Sequence, residues 1–134
     1  MSQENVAAVQ DAYQAFSQGD IAGAVAGIAE DADWVTSDEL PLGGTLHGRE
    51  EIAKAWSQIP EYFDEFSVKP DEFIDAGDTV IVHGMQHARA KDTGVAFDCP
   101  YLHMLKLRDG VTVRAEFFAD SAKALHALEG QPAH

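Results

Sequence analysis

The sequence predicts an α+β fold in which helices cover one face of an antiparallel sheet. Apolar residues recur at helical spacing in the first half of the chain, whereas from residue 66 onward they alternate with a period of two. The later segments are joined by short junctions rich in Gly and Asp, and short junctions imply antiparallel neighbours. A long antiparallel sheet twists and curls, and helices across its concave side can enclose a pocket.

Two helices are predicted at the start of the chain. The first runs from Ser2, stops at Gly19, and carries an apolar stripe made of Val6, Val9, Tyr13 and Phe16. Asp20 is expected to cap a second, shorter helix that extends through Ile28. Because Gly23 weakens that helix, we expect packing rather than intrinsic propensity to hold it.

A strand, a loop and a third helix complete the first half. Asp33–Thr36 has the pattern of a short strand, and Ser37–Gly48 contains the proline and glycines of a loop. Arg49–Ile59 returns to helical spacing, and Pro60 is expected to end it.

The second half predicts four strands and a closing helix. The strands are Phe66–Ile74, Thr79–Ala90, Val95–Leu107 and Val111–Phe118. Ser121–Leu128 is expected to be helical, and the tail Glu129–His134 to be frayed. Since the chain has no linker or internal repeat, we expect one domain over residues 1–134, with an ordered core from about 3 to 128.

The composition excludes several classes of function. Nine Lys and Arg against 23 Asp and Glu give a net charge of −14, which disfavours nucleic acid and anionic membranes as partners. The single cysteine, Cys99, excludes an internal disulfide framework and a multi-cysteine zinc site. No apolar run approaches the ~20 residues of a spanning helix, and no secretory signal pattern opens the chain. We therefore expect a cytoplasmic protein.

Short motifs along nearly the whole chain point to a family. The first half contains Tyr13-x-x-Phe16-x-x-Gly19-Asp20, then Asp31-Ala32-x-Trp34, then Gly48-Arg49-Glu50-Glu51-Ile52. The second half contains Asp75-Ala76-Gly77-Asp78-Thr79-Val80-Ile81-Val82, Leu107-Arg108-Asp109-Gly110 and Phe117-Phe118-Ala119-Asp120. Together they resemble the SnoaL-like, ketosteroid-isomerase-related branch of the nuclear-transport-factor-2-like (cystatin-like) superfamily. This resemblance implies a cone-shaped, mostly apolar pocket between a curved sheet and the N-terminal helices, and a homodimer formed through the sheet.

The resemblance also suggests which residues to examine for chemistry. The isomerases of this superfamily use an aspartate base at the end of the first strand, where this chain has Thr36. The position of their protonated aspartic acid is occupied by Leu102 in this chain, so steroid isomerase activity is not expected. SnoaL-type cyclases use an aspartate on the late strands, and Asp120 is the nearest candidate. Its alternative role is to cap the final helix.

The predicted strand Thr79–Ala90 offers two histidines on one face. Ile81, His83, Met85 and His87 share that face at period two, and matching to the isomerases turns it toward the pocket. Imidazoles suit proton transfer because they titrate near neutral pH. On a strand, His83 and His87 would be roughly 13 Å apart and cannot share one ion, so we expect no metal and no cofactor.

The partner of His87 depends on the register of the hairpin. A three-residue loop places His87 opposite Cys99 and His83 opposite His103. An even loop places His87 opposite Asp98 and His83 opposite Leu102. The even register would form a His–Asp pair that raises the pKa of the imidazole.

These observations lead to one main hypothesis and two alternatives. We expect a cofactor-independent isomerase, cyclase or hydratase that performs acid/base chemistry on a small apolar substrate, with His87 and either Asp120 or His103 moving protons. The expected ligand-binding residues are Tyr13, Trp34, Trp56, His83, Met85 and Phe117. The alternatives are a non-catalytic protein that binds a small ligand, and a dimeric interaction module.

Overall fold

The computed structural model describes residues 2–130, which form five helices and six strands. The helices are α1 (Ser2–Ser17), α2 (Ile21–Val25), α3 (Arg49–Ser57), α4 (Ile59–Tyr62) and α5 (Ser121–Leu128). The strands are β1 (Ile28–Thr36), β2 (Gly44–His47), β3 (Phe63–Ala76), β4 (Thr79–Ala90), β5 (Ala96–Arg108) and β6 (Val111–Ala119). The predicted frayed tail lies outside the described residues from residue 131 onward. The α+β class is confirmed.

One mixed sheet contains all six strands, in the order β2-β1-β6-β5-β4-β3. Neighbouring strands are antiparallel except β1 and β6, which run parallel. The sequence predicted only antiparallel neighbours, because that expectation came from the short hairpins between β3 and β6. Most of the chain separates β1 from β6, so no hairpin connects these two strands and sets their relative direction.

Three boundaries in the first half differ from the prediction. The α2 helix ends at Val25, and the chain enters β1 at Ile28 instead of continuing as helix. Gly44–His47, predicted as loop, pairs with β1 as an edge strand. Pro60 does not end the helical region, because it lies in the first turn of α4. Backbone N–H groups in a first turn have no partner within the helix, so the missing N–H of proline costs no hydrogen bond there.

Other local predictions are confirmed. Gly19 ends α1 with a φ of 76°, the left-handed conformation that glycine adopts without a steric penalty. The Asp20 side chain caps α2 by accepting a hydrogen bond from the Gly23 backbone N–H, with an N···O distance of 2.9 Å. The bounds of β4 and α5 are those predicted from the sequence.

The two faces of the sheet differ sharply in burial, and β5 shows the alternation most clearly. Its inward side chains are all buried: Phe97, Cys99, Tyr101, His103, Leu105 and Leu107. The adjacent β4 turns Val80 and Val82 to the same inner face. Its other set, Ile81, His83, Met85 and His87, therefore lies on the outer face, and the predicted orientation of this set toward the pocket is wrong.

The hairpin between β4 and β5 has the even register. His87 lies opposite Asp98, and His83 lies opposite Leu102. Partners in register project to the same side of a sheet, so His87 and Asp98 both face outward. Within residues 2–130, no helix combines the length and the apolar character needed to cross a membrane.

Candidate functional site

A cavity of about 190 Å³ lies between the inner face of the sheet and the helices. Its wall is rich in aromatic side chains: Tyr13, Phe16, Trp34, Trp56, Tyr62, Phe63, Phe66, Phe97 and Phe117. None of the described residues that line it is Asp, Glu, Lys or Arg. The cavity therefore favours an apolar ligand with ring systems, although the chain as a whole is strongly acidic.

A loop and a short helix complete this wall where the sheet does not reach. Leu40, Pro41 and Leu42, between β1 and β2, line the cavity from one side. Ile59 and Tyr62 of α4 line it as well. Trp56 on α3 packs edge-on against Trp34 on β1, with ring centroids 4.9 Å apart.

The cavity contains one buried pair of polar side chains. His103 projects inward from β5 and is 5% exposed, and its Nδ1 lies 2.9 Å from the hydroxyl oxygen of Tyr13 on α1. Burial lowers the pKa of His103 to about 3, because the charged imidazolium would lose its hydration. Burial also raises the pKa of Tyr13. Both groups are therefore neutral at physiological pH.

The second nitrogen of His103 has no partner. Its Nε2 is buried, and no group in residues 2–130 forms a hydrogen bond with it. A neutral imidazole has one donor and one acceptor nitrogen. If the Tyr13 hydroxyl donates to Nδ1, Nε2 carries the proton and can donate; if Nδ1 donates to the hydroxyl oxygen, Nε2 can accept. In each tautomer the hydrogen-bonding position of Nε2 stays unused.

Aromatic rings fix the orientation of this imidazole. Trp34 and Phe117 pack edge-on against His103, with centroid distances of 4.9 Å and 5.4 Å. Tyr101, two residues earlier on β5, stacks on Phe117 at 5.0 Å, and its hydroxyl is buried. Opposite Tyr101 is Gly84, where an added Cβ would lie 2.8 Å from that hydroxyl, so glycine makes room for the ring.

The positions matched to the isomerases carry no carboxylate toward the cavity. Thr36, at the end of β1, lines the cavity where the family's base was placed. Leu102 is 46% exposed on the outer face, and the inward residue is its neighbour His103. Leu102, matched to the isomerases' second acid, therefore faces away from the cavity, because neighbouring residues of a strand point to opposite faces.

His87 lies in a charged cluster on the outer face, away from the cavity. Its Nε2 is 2.8 Å from Glu65 Oε1, and its Nδ1 is 2.8 Å from Asp98 Oδ1. The Glu65 and Asp98 carboxylates raise the pKa of His87, Glu65 having the larger effect. The His–Asp pair of the even register is thus present, but His83, Met85 and His87 do not line the cavity. The catalytic and ligand-binding roles predicted for these residues depended on side chains that face the cavity, whereas the structure places them on the outer face.

Asp120 is positioned as a helix cap. Its carboxylate accepts a hydrogen bond from the backbone N–H of Ala122 at 3.1 Å, at the start of α5. It does not line the cavity.

Comparison with known proteins identifies the family. A family model described as the SnoaL-like domain matches residues 9–115. The chain belongs to the SnoaL-like family. Two solved NTF2-like proteins, from Burkholderia thailandensis E264 and Burkholderia xenovorans LB400, are each 30% identical to it. The first match covers 92% of this chain and 96% of that one with a TM-score of 0.88. The second covers 96% and 98% with a TM-score of 0.86.

A third similar structure is that of TerC co-crystallised with polyporic acid. TerC is 28% identical to this chain, the match covers 94% of this chain and 98% of TerC, and the TM-score is 0.86. No curated protein matches the chain.

Five residues predicted for the site line the cavity of this SnoaL-like domain: Tyr13, Trp34, Trp56, His103 and Phe117. Tyr62 and Gln86 also line it, although no sequence pattern indicated a role for them. The alternation of apolar and polar residues along β5 indicated which of its side chains face inward. In the even register Gln86 lies opposite the inward Cys99, so the two observations together would have placed Gln86 on the inner face. Residues 2–130 contain no group of three or more His, Cys, Asp or Glu side chains arranged to hold a metal ion.

Proposed function

We propose that the protein binds a small, mainly apolar molecule with aromatic rings, and that the Tyr13–His103 pair hydrogen-bonds an oxygen atom of this ligand. One observation carries the proposal: in a mostly apolar cavity, a buried, neutral imidazole has an Nε2 without a partner among the described residues. A buried polar group without a partner costs about 1–3 kcal/mol. A ligand oxygen that bonds this nitrogen removes that penalty.

The shape and chemistry of the wall support an aromatic ligand. The rings around the cavity meet edge to face, and such walls accept a further ring in the same geometry. TerC, which is 28% identical over 98% of its length, was co-crystallised with polyporic acid, and this supports a small molecule as the partner.

A second candidate function is acid/base catalysis on the same ligand, as a cofactor-independent isomerase, cyclase or hydratase. It is favoured by the placement of the pair in a mostly apolar cavity, where a hydrogen bond to a developing oxyanion is strong. With a pKa of about 3, His103 is too weak a base to take a proton from carbon efficiently at neutral pH. In such a reaction the pair would stabilise negative charge on the ligand oxygen.

The binding proposal can be tested with the protein's own fluorescence. Trp34 and Trp56 are the two tryptophans of the chain and both line the cavity, so quenching on titration with polyporic acid reports occupation. We expect His103→Phe to weaken binding about tenfold, because the hydrogen bond between its Nε2 and the ligand is lost. Tyr62→Phe removes a polar group from another residue that lines the cavity and is the control. Equal affinity in the two variants would contradict the proposal, as would the absence of quenching in the unmodified protein.

We also propose that two copies of the chain pair through the outer face of the sheet. This face carries an exposed apolar patch made of Met85, Leu102, Met104 and Phe118, and Phe118 is 52% exposed. The strand register makes Leu102 a direct neighbour of Phe118. An apolar patch on a sheet face is typical of a protein–protein interface.

The charges around the patch suit a two-fold arrangement. Three carboxylates and one Arg lie beyond one end of the patch: Asp64, Glu65, Asp98 and Arg89. Lys106, Arg108 and Arg114 lie beyond the other end, with Asp33 and Glu116 beside Arg114. Two sheets stacked in opposite directions bring the acidic end of one copy onto the basic end of the other.

Light scattering after size exclusion tests this arrangement. We expect a dimer for the unmodified protein and a monomer for Phe118→Glu, because a charge buried in an apolar interface has no partner. Gln10→Glu, on the exposed face of α1, is the control and should stay dimeric. A monomeric unmodified protein would contradict the proposal.

A further inference from the structure

Gln86 is the one side-chain amide among the described residues that line the cavity. It projects inward from β4, between the buried Gly84 and Ala88. Its cavity neighbours Val68 and Phe97 are apolar. An amide in such surroundings is costly unless its donors and acceptors are used.

The carbonyl end of this amide already has a partner. Cys99 lies opposite Gln86 in the register, and its Sγ donates to Gln86 Oε1 at 3.5 Å. Burial raises the pKa of the Cys99 thiol, which keeps the donor proton in place. Among the hydrogen bonds within residues 2–130, Gln86 takes part through Oε1 alone, so the N–H groups of Nε2 remain for a ligand.

Gln86 and the Tyr13–His103 pair mark two separate places along the cavity. Gln86 is level with Cys99, and His103 lies four residues farther along β5. At ~3.4 Å per residue the two levels are about 14 Å apart. A ligand that reaches both anchors must be elongated, with a rigid apolar middle.

We propose that Gln86 determines specificity for an elongated aromatic ligand with an oxygen atom at each end, one bound by the Tyr13–His103 pair and the other by the Gln86 amide. This inference rests on the proposed binding function and adds the second anchor to it. A bound ligand that covers the half-buried Gln86 amide without offering an acceptor removes water from its N–H groups and gives no partner in return, so such a ligand binds more weakly.

Two probe molecules of nearly equal shape distinguish binding at one anchor from binding at both. We would titrate the protein with 4-phenylphenol, which has one terminal hydroxyl, and with 4,4′-biphenol, which has a hydroxyl at each end. Tryptophan fluorescence reports each affinity. We expect the unmodified protein to bind 4,4′-biphenol about tenfold more tightly, corresponding to one additional hydrogen bond.

The variants identify which groups hold the two oxygen atoms. Gln86→Leu should reduce the affinity ratio to about one, and so should His103→Phe, since either variant leaves a single anchor. Tyr62→Phe should keep the tenfold ratio. If Gln86→Leu does not fold, Gln86→Met keeps the length of the side chain without its amide and should give the same result.

Each other outcome overturns a specific statement. An unchanged ratio in the Gln86 variants, or equal binding of the two probes by the unmodified protein, overturns the second anchor but leaves the binding function standing. If neither probe quenches the tryptophan fluorescence of the unmodified protein, the binding function itself is contradicted, and so is the role of Gln86 that rests on it.

Discussion

The Tyr13 hydroxyl and His103 Nδ1 lie 2.9 Å apart, although the two residues are 90 positions apart in the sequence. Their hydrogen bond joins the first helix to the central region of the sheet and does so inside the cavity. Because burial keeps both groups neutral, the pair can bind a ligand oxygen without placing a net charge in the apolar interior. It is the feature on which the proposed function depends.

Replacing His87 should leave ligand binding intact. His87→Gln changes a side chain on the outer face, so we expect the affinity for polyporic acid to stay within twofold of the unmodified protein. The raised pKa of His87 means that its ion pairs stabilise the fold below about pH 6.5 and that this contribution is lost as the pH rises through the raised value. The variant should therefore lose more stability at pH 6 than at pH 9 in urea unfolding. A large loss of affinity would place His87 in the binding site after all.

Asp120 should prove to be a structural residue. Asp120→Ala removes the side-chain cap of α5, and we expect the free energy of unfolding to fall by about 1 kcal/mol. Asp120→Asn keeps an acceptor oxygen and should be nearly as stable as the unmodified protein. Both variants should bind polyporic acid normally. Weakened binding by the stable Asn variant would indicate that the carboxylate contacts the ligand.

His103 should make the fold sensitive to acid. Its pKa is about 3 in the native state and about 6.5 when unfolded. Between these values the unfolded chain binds a proton that the native state does not, so stability falls as the pH is lowered. The loss from this group is about 3 kcal/mol by pH 4.5, at ~1.4 kcal/mol per unit.

Urea unfolding at pH 7 and pH 4.5 measures this effect. His103→Phe keeps a ring of similar size but has nothing to titrate, so its stability should fall less between the two pH values than that of the unmodified protein. His83→Gln, on the outer face, is the control and should behave as the unmodified protein does. An equal fall in the His103→Phe variant would show that another group causes the acid sensitivity.

Local patterns were sufficient to predict most of the elements. Hairpin junctions and period-two alternation predicted β4 with its correct bounds, and the Gly19-Asp20 pair predicted the boundary between α1 and α2. The edge strand Gly44–His47 was missed because its four residues lie among glycines and have little pattern of their own. The parallel pairing of β1 with β6 depends on contacts far apart in the sequence, which no local pattern contains.

The face of β4 could not be decided from its composition. Matching to the isomerases turned the set with Ile81 and Met85 toward the pocket, and its apolar residues did not contradict this, because the outer face also carries apolar residues. The strand β5 was more informative, since Asp98, Lys106 and Arg108 mark its outer face. Combining that alternation with the correct register places His103 and Gln86 inside, but the register depends on the conformation of the hairpin loop.

The most direct test of the central claim is nitrogen NMR of the His103 ring, followed from pH 8 to pH 5 with and without polyporic acid. We expect His103 to remain neutral throughout this range, and the resonance of its Nε2 to shift when the ligand binds while that of His83 does not. A His103 ring that titrates near pH 6.5, or that is unaffected by a ligand shown to be bound, would contradict the assignment of the Tyr13–His103 pair as the polar anchor of the cavity.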